Sequence, residues 1–198
     1  SAPSKKGRII LSPTQQMGSL FFLKKGQVRL FKVSSTGKEF TVDLLSEGNV
    51  FGETSSFSLT ESDIYAETMV DSFVCTLTKE RFEEFLRQNP DISLKLITIM
   101  TSKLKEMYQI TESIAYKDVK YRILLLFMQL SNRFGVRSEE WQTLGVKITQ
   151  YDIASMIGSS RETVSLFLGV LEKEQVITRK PLKINTVLAK ELYELEEG

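Results

Sequence analysis

Six polar side chains crowd one short segment: Ser159, Ser160, Arg161, Glu162, Thr163 and Ser165. At the start of a helix they would stand beside backbone N–H groups that lack intrahelical partners, and such N–H groups together with hydroxyls hold phosphate oxygens. An arginine there has the planar fork for guanine O6 and N7, and a glutamate can accept from cytosine N4. The residues before this segment have the means to aim it. Thr149 can cap a helix whose third position is Asp152, with Gln150 opening the helix and Ile153 and Ile157 on one face. Counting from Gln150 as position one, Ala154 is fifth, Gly158 ninth, Val164 fifteenth and Phe167 eighteenth. That is helix-turn-helix spacing: a small Ala where two helices cross, a Gly for the positive φ of the turn, and apolar plugs beyond it. The plainer alternative is two amphipathic helices with an exposed Arg-Glu pair at an ordinary helix start. After Leu171, Val176–Arg179 and Lys183–Asn185 read as short strands turning at Lys180-Pro181, a wing on which Arg179, Lys180 and Lys183 offer charge to a phosphate backbone.

Charge is distributed to match. The 198 residues carry 26 Lys/Arg against 25 Asp/Glu, a net +1. Residues 117–183 hold 11 basic against 7 acidic residues, an excess of +4, whereas residues 1–116 balance at 14 each and 184–198 are acidic. A phosphate-binding surface is therefore expected in the late segment. Histidine is absent and Cys75 is the single cysteine, which excludes Ser-His-Asp and Cys-His nucleophiles, His-containing zinc sites and histidine-ligated haem within the chain, and multi-cysteine iron-sulfur ligation with them. No metal site is expected. An enzyme built on carboxylates alone, for instance Glu53 and Asp63, has no paired-acid motif to support it. One cysteine makes no internal disulfide, so a reducing cytoplasm is the default compartment, and Cys75 is expected to be a small core side chain. The longest apolar run, Ile123–Met128, is far short of the roughly 20 residues that cross a bilayer, so no membrane partner is expected. The N-terminus lacks both an initiator Met and an apolar signal segment, and preceding residues are expected to be missing.

The elements that position these residues follow from periodicity. Phe21–Leu23, Val28–Val33, Phe40–Leu45 and Phe73–Leu77 are β-like runs separated by glycine-bearing turns, which suggests a small antiparallel barrel or roll. Thr78 can cap a helix through Phe82, Phe85 and Leu86 that stops near Pro90. A second helix, about Asp91 to Tyr116, has Ile97, Leu104 and Thr111 in one row and Met100, Met107 and Ile114 in another, the 3.5-residue seam of a two-stranded coiled coil, the plainer alternative being a helix that packs on its own domain. A second stripe, Leu96, Ile99, Lys103 and Ile110, could cover the roll. Val119 to Phe134 reads as the buried helix of another domain, and Val136 to Gly145 as a loop containing Trp141.

Taken together, residues 18 to 186 resemble the CRP/FNR family of bacterial transcription regulators. Gly18 to Lys32, Gly37-Lys38-Glu39, Leu44-Leu45, Gly48 and Val50–Glu53 look like its glycine-punctuated roll. Asn89–Ile92 looks like the entry to its dimer helix, and Ile148-Thr149 with Gly158–Val164 like its DNA-reading motif. Glu112 to Val136 is most similar to the cyanobacterial nitrogen-control branch. The resemblance implies an α+β fold: an antiparallel, cyclic-nucleotide-binding-like β-roll sensor over residues 1–89, a dimerisation helix over 90–116, and a winged helix-turn-helix over 117–198. It implies a non-enzymatic, homodimeric regulator binding palindromic double-stranded DNA, with RNA polymerase as a partner and a small effector in place of a fixed cofactor. DNA contacts would come from Thr149, Gln150, Ser159, Ser160, Arg161, Glu162, Thr163, Ser165 and Lys180. The alternative, a sensory module of a signalling enzyme or channel, has no use for the block from Thr149 to Lys183.

The effector positions of the family map to Gly52, Glu53, Ile64, Lys103 and Met107. Members that bind cyclic AMP hold the ribose with Gly-Glu, the phosphate with Arg-Ser and the base with Thr-Ser; this chain has Gly52-Glu53, Asp63-Ile64 and Met107-Tyr108. An anion facing a phosphodiester with no cation is repelled and left undersolvated, so cyclic AMP is not the expected effector. For 2-oxoglutarate, the ligand of nitrogen-control members, Ile64 replaces one cation and Lys103 supplies the other, which leaves that effector open. In the DNA motif, Leu166 stands where the family has an arginine, and looser reading of one base is expected. Calorimetric titration with cyclic AMP is expected to give no specific micromolar binding; a saturable micromolar isotherm would overturn the exclusion.

Overall fold

Burial on alternate residues shapes the first half of the chain. The computed structural model describes residues 2–13, 19–53, 62–136 and 140–194, and divides into two compact units, Ser1–Lys105 and Glu106–Gly198, a division inside one long helix. The first unit opens with eight strands: β1 (Ala2–Ser4), β2 (Ile9–Leu11), β3 (Ser19–Lys25), β4 (Val28–Val33), β5 (Glu39–Leu45), β6 (Val50–Glu53), β7 (Tyr65–Thr68) and β8 (Ser72–Thr78). They pair antiparallel into two four-stranded sheets, ordered β1-β8-β3-β6 and β2-β7-β4-β5. Leu23, Val28, Leu30, Phe51, Ile64, Ala66 and Val74 pack as one buried cluster, and Phe21 stacks on Phe51 with ring centroids 5.2 Å apart. This is the expected antiparallel roll. Cys75 departs from expectation: Val74 takes the inward position of β8, and Cys75 is only half-buried.

Gly52 shows why its neighbourhood is glycine-marked. It lies opposite Leu20 in the β3–β6 ladder at φ +102°, and a Cβ there would sit 2.5 Å from the carbonyl oxygen of Ser19. Only glycine satisfies both demands. Gly18, the start of the family-like segment, lies outside the described residues.

Helix α1 (Lys79–Gln88) begins where Thr78 accepts a hydrogen bond from the Arg81 amide at 3.5 Å, and buries Phe82. Helix α2 (Pro90–Tyr116) runs 27 residues, with proline at its first position, where a missing N–H costs nothing. The second unit then forms α3 (Val119–Phe134), β9 (Trp141–Thr143), α4 (Gln150–Met156), α5 (Arg161–Lys173), β10 (Ile177–Arg179), β11 (Leu182–Asn185) and α6 (Thr186–Glu194). Ile123, Leu124, Leu126, Phe127 and Leu130 of α3 are buried, the centre of this unit.

One expectation needs correction, and one element was not anticipated. The segment around Trp141 is not simply a loop: β9 pairs antiparallel with β11, Trp141 opposite Asn185, to make a three-stranded sheet ordered β10-β11-β9. The acidic tail, for which the charge pattern indicates no element, begins as a helix, α6, whose Ala189 is fully buried. The Asn185 side-chain oxygen accepts from the amides of Val187 and Leu188, both at 3.1 Å, and this cap is the signal that could have found it. No helix among the described residues is long and apolar enough to cross a membrane. Replacing Gly52 by Ala is expected to lower folding stability by about 1–3 kcal/mol through backbone strain alone, read as a reduced midpoint in urea unfolding.

Candidate nucleic-acid interface

Helix α4 is short and depends on its cap. The Thr149 hydroxyl accepts from the Asp152 amide at 3.1 Å, while the Asp152 carboxylate accepts from the Thr149 amide at 2.8 Å and its hydroxyl at 2.7 Å. Asp152 is 5% exposed, and this reciprocal box gives its buried carboxylate two hydrogen-bond donors. Thr149, expected at the interface, is thus committed to capping, and Gln150 beside it is half-buried as the first residue of α4. Ile153, Ala154 and Ile157 face inward at 2–4% exposure.

The turn follows at once. Gly158 has φ +64°, and the Ser159 amide reaches back to the Ala154 carbonyl at 2.9 Å. From α3, the Arg122 guanidinium donates to the carbonyl oxygen of Ile157 at 2.7 Å and lies 3.5 Å from that of Gly158. Those oxygens have no helical donor, and Arg122 supplies one. Sequence reasoning missed Arg122, because its partner is set by tertiary placement 35 residues away and leaves no local pattern.

Helix α5 then starts. Ser160 accepts from the Thr163 amide at 3.1 Å and its hydroxyl lies 2.9 Å from that of Thr163, so both residues build the helix N-terminus. Val164, Leu168 and Leu171 are buried against the unit's core, and Phe167 is half-buried. The opposite face presents Arg161, Glu162, Ser165 and Leu166 to solvent. No ion pair or hydrogen bond in the described residues engages the Arg161 or Glu162 side chain. Ser159, in the turn, is half-buried. The site is therefore a rigidly capped helix end with its fork and its acceptor unspent.

The wing is built as expected, but its charge is not. Arg179 Nε lies 2.8 Å from a carboxylate oxygen of Glu172 on α5, so this arginine braces β10 against the helix and is not offered outward. Lys180, at the turn, is exposed, and Lys183 is half-buried.

The effector positions lie apart from this face in the chain. Gly52 is buried in β6, and Glu53 beside it is half-buried with Oε2 fully enclosed and without a hydrogen-bond partner in the described residues. Ile64 is 3% exposed and belongs to the roll's hydrophobic cluster. Lys103 Nζ sits 2.6 Å from Asp43 Oδ2 on β5. Met107 falls in the second unit. Asp43 is the functional candidate missed here; an acidic residue in a β-run carries no signal of its partner on a later helix. Along α2, Ile97, Met100, Leu104, Met107 and Ile114 are 47–58% exposed, and Thr111, also exposed, bonds the Met107 carbonyl at 2.9 Å. Of the second stripe, Leu96 is half-buried, but Ile99 is 54% exposed, contrary to a covering role.

The chain matches the sequence profile of the cyclic nucleotide-binding domain over residues 3–89 and that of the Crp-like helix-turn-helix domain over residues 121–195. It is 30% identical over 182 residues to a global nitrogen regulator of Nostoc sp. strain PCC 7120, covering 91% of this chain and 82% of that protein. It is 27% identical over 179 residues to the cAMP-activated global transcriptional regulator CRP of Pasteurella multocida, covering 89% and 83%. A solved CRP/FNR family regulator from Thermus thermophilus superposes with a TM-score of 0.73 at 25% identity, over 98% of this chain and 97% of that one.

Arg122→Ala removes the donor at the α4 end and leaves two turn carbonyls short of a partner, at about 1–3 kcal/mol. The expected outcome is a lower thermal midpoint together with a loss of DNA affinity that Arg122→Lys restores in part; fluorescence anisotropy on a fixed duplex checks it.

Proposed function

The chain belongs to the CRP/FNR family of DNA-binding transcription regulators, and from that premise we propose that it binds a palindromic promoter site as a homodimer, one α5 entering the major groove of each half-site. The observation that carries this reading is the α5 end: Arg161, Glu162 and Ser165 exposed on a capped helix whose opposite face is locked in the core. A helix in this attitude meets base edges with its first turn and phosphates with its N–H groups. The resemblance of Arg161 and Glu162, and of Glu162 with Ser165, to base-reading residues of the family implies half-sites related to TGTGA or TTGA. Lys180 supplies backbone charge from the wing.

The homodimer is supported by α2. Ile97 and Leu104, and Met100 and Met107, repeat at seven residues and are exposed, which is costly unless a second copy of the seam covers them. On this reading residues 1–89 sense, 90–116 pair the protomers and 117–198 bind DNA. RNA polymerase is the expected further partner, and the cytoplasm the expected compartment.

The roll is read as a sensor not built for cyclic AMP. Its Asp63-Ile64 offers no cation, and Ile64 is packed in the hydrophobic cluster. The Lys103 charge is matched by Asp43 at 2.6 Å, which takes the one candidate cation away from a dicarboxylate such as 2-oxoglutarate. Glu53 Oε2, enclosed and without a partner in the described residues, favours an effector that donates a hydrogen bond and carries no net negative charge.

Anisotropy on cognate and random duplexes tests the DNA assignment. Arg161→Ala is expected to reduce discrimination at a G·C pair by about 1–3 kcal/mol, whereas Lys180→Ala weakens all sequences and lowers the salt slope by about 1 per protomer. Equal losses on cognate and random DNA for Arg161→Ala would refute the assignment.

A further inference from the structure

The solvent face of α5 contains one side chain that polar chemistry does not account for. Leu166 is 64% exposed, among the most exposed large apolar residues of the chain, while Val164, Leu168 and Leu171 of the same helix are 0–4% exposed. The helix therefore has its full complement of core contacts without Leu166. It stands four residues after Glu162, so it shares that residue's outward face, and Ser165 is exposed on the adjoining side of the helix. An isolated leucine projecting from a surface that is otherwise Arg161, Glu162 and Ser165 gains nothing from water.

We propose that Leu166 is a specificity-determining residue that packs on the C5-methyl group of a thymine in each half-site. This rests on the reading of α5 as the base-reading helix and deepens it. Among the groups displayed in the major groove, the thymine methyl is the apolar one, and apolar side chains select for it. Four residues of α-helix advance about 6 Å, close to two base steps of about 3.4 Å, so the thymine lies within about two base pairs of the base read by Glu162. Where an arginine at this position would seek guanine, leucine exchanges a hydrogen-bonding preference for a methyl contact, and the expected outcome is a thymine preference and not a loosened position.

The test uses the full chain and a duplex recovered by selection from random DNA. Each thymine of the half-site is replaced in turn by deoxyuridine, which removes only the 5-methyl group. For the wild-type chain, replacement at one thymine position is expected to weaken binding about fourfold for each half-site in which it is made, the value of one buried methyl. Leu166→Ala, at an exposed position that leaves the fold and thermal midpoint unchanged, is expected to bind the thymine site more weakly and to lose that methyl dependence. Leu166→Met is expected to retain it. Selection that enriches no sequence would overturn the DNA reading and this inference with it. A recovered site at which wild type and Leu166→Ala have identical deoxyuridine penalties, or none, would overturn the inference alone.

Discussion

Two carbonyl oxygens at the end of α4, those of Ile157 and Gly158, are met by the Arg122 guanidinium from α3, and the aim of α5 depends on that contact. Helix α4 has only seven residues, too few to hold a direction by itself. It is fixed at one end by the Thr149–Asp152 box and at the other by Arg122, with Ala154 and Gly158 allowing the two helices to close upon one another. Once the turn is fixed, Val164, Leu168 and Leu171 set which face of α5 is buried, and by elimination which face meets a ligand. Arg179 completes the scaffold by tying the wing to α5 through Glu172. Two of the late segment's arginines are thus structural, and the charge that reaches DNA is carried by fewer residues than the +4 excess suggests.

The same division between spent and unspent charge governs the roll. Arg29 pairs with Glu39 and Glu67, Lys32 with Asp63, and Lys103 with Asp43, so these three basic side chains are internally matched. Glu53 is the exception, an enclosed carboxylate oxygen without a partner in the described residues. The first 116 residues carry no net charge, and the positive excess of the chain lies in residues 117–183.

Features whose cause is local were legible in the sequence. The Thr149–Asp152 box, the positive φ of Gly158, the Ser160 start of α5 and the apolar core of α3 each depend on residues within a few positions of one another. Four long β-runs stood out for the same reason. The strands β1, β2, β6 and β7 were not read from the sequence; they are defined by their pairing with β8, β7, β3 and β4. Trp141 is a strand residue because β11 lies beside it. Arg122, Asp43 and the bracing role of Arg179 were illegible on the same ground: each is defined by an ion pair or hydrogen bond to a residue distant or on another element.

Selection from random duplexes with the full chain tests the central claim, that a capped α5 on each of two protomers reads DNA. A two-fold symmetric consensus with half-site centres about 10 base pairs apart is the expected result, matching one helical turn between two major grooves. Enrichment of a single asymmetric element, or of no sequence at all, would contradict it.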